Sequence, residues 1–204
     1  MNEMSPSYKA LRLLVYALAR FAFRLQVKGR EHLPEQGAVL IFSNHISNLD
    51  PVILGSVIPR RVSFMAKEEL FHHPLLGAII RRFGAFPVRR GMSDTSAMKK
   101  GLQILREGRA LILFPEGHRS RDGKIGKPYP GVAMFALRSE AVAVPVAIVG
   151  RYRLFGRTTV AFGPPVDLTW EKEHPKQPDL LQTTAERMMK QVQCVMEGCL
   201  SETY

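Results

Sequence analysis

A histidine and an aspartate, His45 and Asp50, lie five positions apart in the segment 43–51, which reads SNHISNLDP. The segment directly follows the apolar run 38–42, which predicts a buried parallel strand. The pair is therefore expected at the carboxyl end of a strand, where open α/β sheets bind their ligands. A carboxylate fixes the tautomer of a neighbouring imidazole and stabilises the imidazolium, so this pair can act as a general base. The spacing alone is equally compatible with an ordinary polar histidine.

A second polar segment, 114–123, reads FPEGHRSRDG and follows another apolar run. Glu116 and Gly117 place a carboxylate and a small residue where a ligand can approach the backbone. Arg119 and Arg121 follow, and guanidinium groups suit phosphate or carboxylate ligands. Two polar segments, each at the end of an apolar strand, predict one site that is built from two loops.

With these two segments the chain resembles the glycerolipid acyltransferases, the family of the lysophosphatidic acid acyltransferases of phospholipid synthesis. That family is marked by four sequence blocks in a fixed order, which here cover roughly residues 38 to 150. The order makes the resemblance specific, although each block alone is modest evidence. One position departs from the family pattern, because His118 stands where Thr is usual. The matching segments are Asn44-His45-x4-Asp50, 67–77 continuing to 84–90, 114–120 and 142–147.

The resemblance implies a role for each matching residue. His45 would be the catalytic base and Asp50 would orient it. Arg89 and Arg119 would hold the phosphate of the acceptor, and Glu116 would orient this cluster or the glycerol hydroxyls. Arg90 and Arg121 are weaker candidates for the same task. The full set of expected substrate-binding residues is Asn44, Lys67, Arg89, Glu116, Gly117 and Arg119.

The reaction implied by the resemblance moves an acyl group from a thioester to the sn-2 hydroxyl of lysophosphatidic acid, giving phosphatidic acid. A hydroxyl is a poor nucleophile at neutral pH, so we expect a base to remove its proton during a direct attack. Backbone amides near His45 or Gly117 are both candidates for stabilising the oxyanion. The donor is acyl-CoA or acyl carrier protein, with no metal and no other cofactor. A different lysolipid or glycerol 3-phosphate is the alternative acceptor.

The formal net charge of +11 indicates a polyanionic partner, either nucleic acid or an anionic membrane. A nucleic-acid-binding module would interleave aromatic and basic residues in a strand motif, and no such motif is found. We therefore expect no nucleic acid partner. A non-catalytic basic peripheral membrane protein would explain the N-terminal helix described below but not His45 and Asp50. The enzyme hypothesis and the non-catalytic hypothesis both predict an anionic membrane surface as the partner.

Residues 1–26 are predicted to form an amphipathic helix that lies flat on the membrane. Helical periodicity places a basic stripe on one side of it and an apolar stripe on the other. The alternative is an ordinary surface helix that packs its apolar side on the core. No stretch reaches the roughly 18 uncharged apolar residues of a spanning helix, and no signal peptide is evident. We expect a peripheral, monotopic protein on the cytoplasmic face of the membrane. The basic stripe is Lys9, Arg12, Tyr16, Arg20 and Arg24; the apolar stripe is Leu11, Leu14, Val15, Leu18, Phe21, Ala22 and Leu25.

Residues 27–204 alternate apolar strands with helical segments, which predicts a single α/β domain. The fold class is a layered domain with a mostly parallel central sheet flanked by helices, preceded by the N-terminal helix. The segment 163–178 contains four prolines and is predicted to be a loop. The predicted strands are 38–42, 62–66, 85–88, 110–114, 142–148 and 158–162; the predicted helices are 74–82, 93–107, 131–139 and 179–197.

Overall fold

Seven strands form one sheet in the computed structural model of the chain, which describes residues 4–89, 94–120 and 122–201. The strands lie in the order β1-β7-β6-β2-β5-β3-β4. Their bounds are β1 Gln26–Lys28, β2 Val39–Ser43, β3 Val62–Lys67, β4 Ala85–Val88, β5 Ala110–Leu113, β6 Val142–Gly150 and β7 Thr158–Phe162.

Most of the sheet is parallel. The adjacent strands β6, β2, β5, β3 and β4 all run in one direction. Strand β7 is antiparallel to β6, and β1 joins the edge parallel to β7. The prediction of a mostly parallel α/β sheet is therefore confirmed. Since five neighbouring strands share a direction, their carboxyl ends and the loops that follow them gather at one edge of the sheet.

Helices cover both faces of the sheet, which is why the central strands read as continuous apolar runs. In β2 the side chains of Leu40 and Phe42 join the apolar cluster on one face. Those of Val39 and Ile41 join the cluster on the other face. This alternation follows from the two-residue period of a strand. The helices are α1 Pro6–Ala22, α2 Asp50–Val57, α3 Pro74–Arg82, α4 Thr95–Arg106, α5 Gly131–Leu137, α6 Thr169–Glu173 and α7 Leu180–Ser201.

Local signals account for the ends of α4. Asp94 caps it, and the Asp94 carboxylate accepts hydrogen bonds from the backbone N–H groups of Ser96 and Ala97. These bonds and one from the N–H of Arg89 hold the pKa of Asp94 well below its usual value. Gly108 follows the helix with φ +68°, a left-handed conformation that glycine adopts without strain. An aspartate cap and a glycine stop therefore bound this helix.

The six predicted strands and four predicted helices are all present, with ends shifted by a few residues. Three elements were not predicted. Strand β1 is only three residues long and partly polar, so it carries little periodic signal. Helix α2 begins at Asp50, inside the predicted site loop. Helix α6 is five residues long and lies within the proline-rich segment that was predicted to be a loop.

The N-terminal helix α1 packs against α2 and the core. Its basic and apolar sides therefore differ from the two stripes that were predicted. Arg12 was expected on a lipid-facing basic stripe, but its Nη1 donates to the carbonyl oxygens of Ser56 at 3.0 Å and Ile58 at 3.4 Å. These carbonyls belong to the end of α2, where the helix leaves backbone acceptors without partners. The lipid-facing prediction is therefore wrong for Arg12. Arg24 and Leu25 lie beyond the end of the helix.

Helix α1 also divides its apolar residues between two directions. Leu11 and Val15 pack against the core, beside the buried Ala19. Another group points outward, each with more than half of its surface exposed, and consists of Leu13, Leu14, Leu18 and Phe21. The helix thus supports the core with one side and presents an apolar strip on another. No helix in residues 4–89, 94–120 and 122–201 has the length and apolar character needed to span a bilayer.

Candidate active site

A buried histidine–aspartate pair lies at the carboxyl edge of the sheet. His45 follows the end of β2, and its Nδ1 lies 2.6 Å from Oδ2 of Asp50. A carboxylate offers only acceptors, so this contact places a proton on Nδ1 of the imidazole. The Nε2 lone pair is then available to accept a proton from a ligand. His45 is 8% exposed, so only a small part of its surface is accessible.

Asp50 is the most densely bonded group of the site. Its Oδ2 also accepts the backbone N–H groups of Ile46 at 2.7 Å and Ser47 at 2.8 Å. Asp50 is completely buried and begins α2, where the positive end of the helix dipole favours a negative charge. The loop from His45 to Asp50 thus wraps around one carboxylate oxygen. This arrangement orients the imidazole and stabilises the conformation of the loop.

The second polar segment closes the site from the neighbouring strand. Strand β5 pairs with β2, so the segment that begins at Phe114 lies beside His45. The Phe114 ring stacks on the imidazole with the ring centroids 4.2 Å apart. The backbone N–H of Ser120 donates to the carbonyl oxygen of His45 at 2.7 Å. The two loops that were predicted to form one site are in direct contact.

Glu116 is almost completely buried, at 1% exposure, and braces both loops. Its Oε1 accepts the backbone N–H of His45 at 3.1 Å. Its Oε2 accepts the backbone N–H of Gly126 at 2.9 Å. Glu116 therefore contacts the backbone of the catalytic candidate, and its carboxylate oxygens already have partners. These bonds support a positioning role for Glu116.

Gly117 occupies a position that only glycine fits easily. Its φ is +67°, and a Cβ atom there would stand 2.8 Å from Cε2 of Tyr129. Its backbone N–H donates to the carbonyl oxygen of Phe114 at 3.0 Å. The N–H groups of His45, Ile46 and Gly117 are thus all engaged inside the protein. An oxyanion formed at this site would need other donors.

Asn44 joins the site strand to its neighbour. The Asn44 Nδ2 donates to the carbonyl oxygen of Ile148 at 2.9 Å, and the N–H of Ile148 donates to Asn44 Oδ1 at 2.8 Å. Asn44 is buried and both of its amide atoms are occupied. The expectation was that Asn44 binds substrate directly. In the structure it continues the pairing of β2 with β6 at the point where His45 leaves the sheet.

The basic candidates separate into two groups. Arg119 is exposed on the loop that contacts His45, and it pairs with no carboxylate among the described residues. Arg89 follows β4, and its Nε lies 2.8 Å from Oε2 of Glu68, which raises the pKa of Arg89. Lys67 ends β3 and pairs with Glu69 at 3.1 Å.

Sheet order explains this separation. Arg119 follows β5, the direct neighbour of β2, whereas Arg89 follows β4, three strand positions from β2. At about 4.8 Å per strand, that is roughly 14 Å across the sheet. The structure therefore brings His45, Asp50, Glu116 and the Arg119 loop together, with Lys67 and Arg89 farther along the same edge. Arg90 and Arg121 lie outside the described residues.

Two site residues have no clear signal in the sequence. Phe114 lies in the second polar segment, but only the folded chain shows that its ring stacks on His45. Tyr152 comes two residues after β6 and interacts with Asp50 across the edge of the sheet. Nothing in its local pattern indicates this contact. The described residues contain no group of three or more His, Cys, Asp or Glu side chains placed to hold a metal ion.

The protein is an α/β protein with a mostly parallel sheet and a buried histidine–carboxylate pair at its carboxyl edge, an arrangement that is chemically able to accept a proton from a ligand. The sequence model of the acyltransferase family matches residues 24–149. The chain belongs to this acyltransferase family. The matched region includes β2, β5, and both loops of the site.

Several relatives identified by sequence are named 1-acyl-sn-glycerol-3-phosphate acyltransferase. A 1-acyl-sn-glycerol-3-phosphate acyltransferase of Bacillus subtilis is 31% identical over 127 residues, which are 62% of this chain and 63% of that protein. One from Streptococcus pneumoniae is 33% identical over 137 residues, 64% of this chain and 50% of that protein. A chloroplastic one of Arabidopsis thaliana is 29% identical over 131 residues, 63% of this chain and 36% of that protein. The matches thus span less than two thirds of these relatives.

A solved structure has the same fold. The crystal structure of the 1-acyl-sn-glycerophosphate acyltransferase PlsC from Thermotoga maritima superposes with a TM-score of 0.67. The two sequences are 23% identical, and the match covers 95% of this chain and 84% of that one. At this identity the likeness establishes the shared architecture, including the sheet that carries the site.

The Asn44 bridge generates a prediction about stability. Replacing Asn44 with Ala leaves the N–H and carbonyl groups of Ile148 without partners in a buried position. We expect the free energy of unfolding to fall by at least about 2 kcal/mol, measured by urea denaturation. The matched control is Asn48→Ala, an exposed asparagine in the same loop, which should change stability very little. Equal stability of the two variants would contradict the bridging role.

Proposed function

We propose that this protein transfers an acyl group from an acyl thioester to the sn-2 hydroxyl of lysophosphatidic acid, which gives phosphatidic acid. The observation that carries the proposal is the buried contact between His45 Nδ1 and Asp50 Oδ2 at 2.6 Å. It leaves an imidazole nitrogen free to act as a base at the ligand-binding edge of the sheet. Family membership supports acyl transfer, and the names of the relatives support this acceptor.

In the proposed reaction, Nε2 of His45 takes the proton of the acceptor hydroxyl while the hydroxyl oxygen attacks the thioester carbon. The tetrahedral intermediate then collapses, an ester bond remains, and the thiolate leaves. The His45 imidazolium returns the proton to the thiolate, so the enzyme is restored and a free thiol is released. Asp50 stabilises the imidazolium formed between these steps and keeps the imidazole in the correct tautomer.

The donor in this proposal is acyl-CoA or acyl carrier protein. Both carriers are negatively charged, and the net charge of +11 attracts either one. A thioester needs no cofactor for transfer to an alcohol, because the thiolate is a good leaving group. The sequence favours neither carrier, so each one belongs in the first assay.

For the acceptor phosphate we propose Arg119 as the principal contact. It is exposed, lies on the loop whose Ser120 N–H binds the carbonyl of His45, and pairs with no carboxylate among the described residues. Arg89 and Lys67 form a second basic group farther along the edge, and each is engaged by a neighbouring glutamate. Arg89 would have to give up Glu68 to bind phosphate. This competition predicts a smaller contribution from Arg89.

A lipid acceptor requires the site to reach a membrane, and we propose that the carboxyl edge of the sheet faces it. The exposed Phe21 of α1 contacts Phe155, which lies in the loop after the carboxyl end of β6. The backbone N–H of Phe155 donates to the carbonyl oxygen of Ala22 at 2.6 Å and holds that loop to the helix. Leu154 beside it is also exposed. These side chains form an apolar group on one side of the site.

Further exposed apolar residues lie in the site loop and on α3. Leu49 is in the loop between His45 and Asp50, and Leu75 is in the first turn of α3. Arg20 and Arg24 line an open pocket next to the first group, where they can bind lipid phosphates. Apolar side chains for insertion and arginines for phosphate, both around the site, support peripheral binding on a cytoplasmic, anionic membrane face.

The assignment of the base gives the first functional prediction. His45→Ala should lower turnover by about a hundred- to ten-thousand-fold, because it removes the general base. Asp50→Asn should lower turnover by the same factor or a smaller one, because the imidazole then loses the correct tautomer. The assay follows acceptor-dependent thiol release and phosphatidic acid formation with oleoyl thioesters. The exposed His72→Ala is the matched control and should retain activity. Near-normal turnover of His45→Ala, with its fold intact by circular dichroism, would overturn the assignment.

The two arginines give the second prediction. Arg119→Ala should raise the acceptor KM about tenfold or more, with less effect on the thioester KM, because it removes a charge-assisted bond. Arg89→Ala should act in the same direction but more weakly, and lysine should restore only part of either loss. Arg106→Ala, at the far end of α4, is the control. If both site variants raise only the thioester KM and leave the acceptor KM unchanged, these arginines bind the donor instead.

The apolar strip of α1 gives the third prediction. Leu18→Glu combined with Phe21→Glu should release the protein from vesicles of phosphatidylglycerol and phosphatidylcholine in a flotation assay. The double variant should still act on a short-chain, monomeric lysophosphatidate. Leu181→Glu with Leu200→Glu changes two exposed leucines of α7 and should leave flotation unchanged. Wild-type binding should weaken as salt rises, because charges are screened within about 10 Å at 0.1 M.

Point variants are needed for this test because α1 is part of the packed structure. Tyr8 and Ala19 are buried, and Arg12 binds the end of α2. Removing the helix would expose core residues as well as the membrane-facing strip. Unchanged flotation of the Leu18 and Phe21 double variant would contradict the proposed membrane contact.

A further inference from the structure

One oxygen of the Asp50 carboxylate has no hydrogen bond. Oδ2 accepts from the Nδ1 of His45 and from two backbone N–H groups, whereas Oδ1 has no partner at full hydrogen-bond geometry. Asp50 is completely buried. A buried carboxylate oxygen without a donor is unusual in a folded protein and calls for an explanation.

The hydroxyl of Tyr152 is the complementary atom. It is also buried and also has no partner at full hydrogen-bond geometry. Burial raises the pKa of Tyr152, and the adjacent negative charge of Asp50 raises it further. The hydroxyl therefore stays protonated and can only be a donor toward Asp50. Asp50 Oδ1 is thus an acceptor without a donor, and the Tyr152 hydroxyl is a donor without an acceptor.

The backbone holds Tyr152 at this place. Gly150 ends β6 with φ +100°, and a Cβ there would stand 2.4 Å from the carbonyl oxygen of Arg157. The chain can therefore turn tightly at the carboxyl edge, next to the strand that carries His45. The hydroxyl of Thr158 donates to the carbonyl of Arg151 at 3.1 Å and closes the loop. The Tyr152 ring packs edge-on against Phe23, with centroids 5.2 Å apart.

We propose that Tyr152 is a positioning residue for the catalytic pair: its hydroxyl donates a hydrogen bond to Oδ1 of Asp50 and thereby fixes the carboxylate that orients His45. This inference rests on the proposed acyl transfer for its catalytic consequence. The structural contact itself depends only on Asp50 and Tyr152. With the bond formed, both carboxylate oxygens are held, and the carboxyl plane cannot rotate away from the imidazole.

Among the described residues, the groups that face the pair supply no other side-chain donor to Asp50 Oδ1 than Tyr152. The Glu116 carboxylate faces the backbone N–H of His45 and carries no donor. Arg119 is exposed on the neighbouring loop. Phe114 covers the imidazole with an apolar ring. A change at the Tyr152 hydroxyl is therefore expected to reach His45 only through Asp50.

The test compares Tyr152→Phe with Tyr8→Phe in the full chain. Tyr8 is the matched control because its hydroxyl is also buried without a partner at full geometry, and it lies near Val62 at the amino end of β3. Two measurements are made on each variant. The first is kcat and KM with oleoyl-CoA and lysophosphatidate. The second is the low-field proton resonance of His45 Nδ1–H, assigned by its loss in His45→Gln.

For Tyr152→Phe we expect kcat to fall on the order of tenfold with both KM values nearly unchanged, because a bond to a charged group is lost. The Nδ1–H resonance should shift in Tyr152→Phe and stay at the wild-type position in Tyr8→Phe. An unmoved resonance in Tyr152→Phe would overturn the proposal, whatever happens to kcat. A resonance that shifts in Tyr152→Phe, combined with a wild-type protein that shows no transfer to lysophosphatidate, would support the contact and refute the proposed function.

Discussion

The bonds to Oδ2 of Asp50 are the interaction on which the rest of the site depends. One oxygen holds the imidazole of His45 and the two N–H groups that follow it, so loop shape and histidine orientation have a single cause. A buried carboxylate with three donors is strongly favoured over an unpaired one. The residue that orients the imidazole is thus also the residue that holds its loop together and begins α2.

The surface around the site is compatible with the proposed lipid acceptor. Asn44 and Glu116 hold the site rigidly to neighbouring strands through buried hydrogen bonds. Outside this rigid frame, the surface becomes apolar at Phe21, Phe155 and Leu75. A rigid polar centre with an apolar border would allow a glycerol backbone to reach the histidine while its acyl chain stays in the membrane. This arrangement supports the proposed acceptor by physical reasoning that is independent of the names of relatives.

Most of the fold could be predicted from the sequence, because its signals are local. The central strands are short continuous apolar runs, as expected for strands covered on both faces, and α4 carries its cap in Asp94 and its stop in Gly108. The helix α1 was predicted less well. Periodicity showed an arginine at position 12 on a basic stripe, but it could not show that the end of α2 would offer carbonyl acceptors to that arginine. Which side of a helix faces solvent depends on what it packs against.

For the site, the sequence by itself determined the residue types, their spacing and their place after two strands, and therefore the two contacting loops. Only the tertiary structure decided what each side chain touches. It engaged the amide atoms of Asn44 with Ile148, turned Glu116 toward backbone N–H groups and separated Arg89 from Arg119. It also brought Tyr152 to Asp50 from a distant part of the chain. Spacing fixes neighbours within one loop, but contacts between loops depend on strand order, which no local pattern contains.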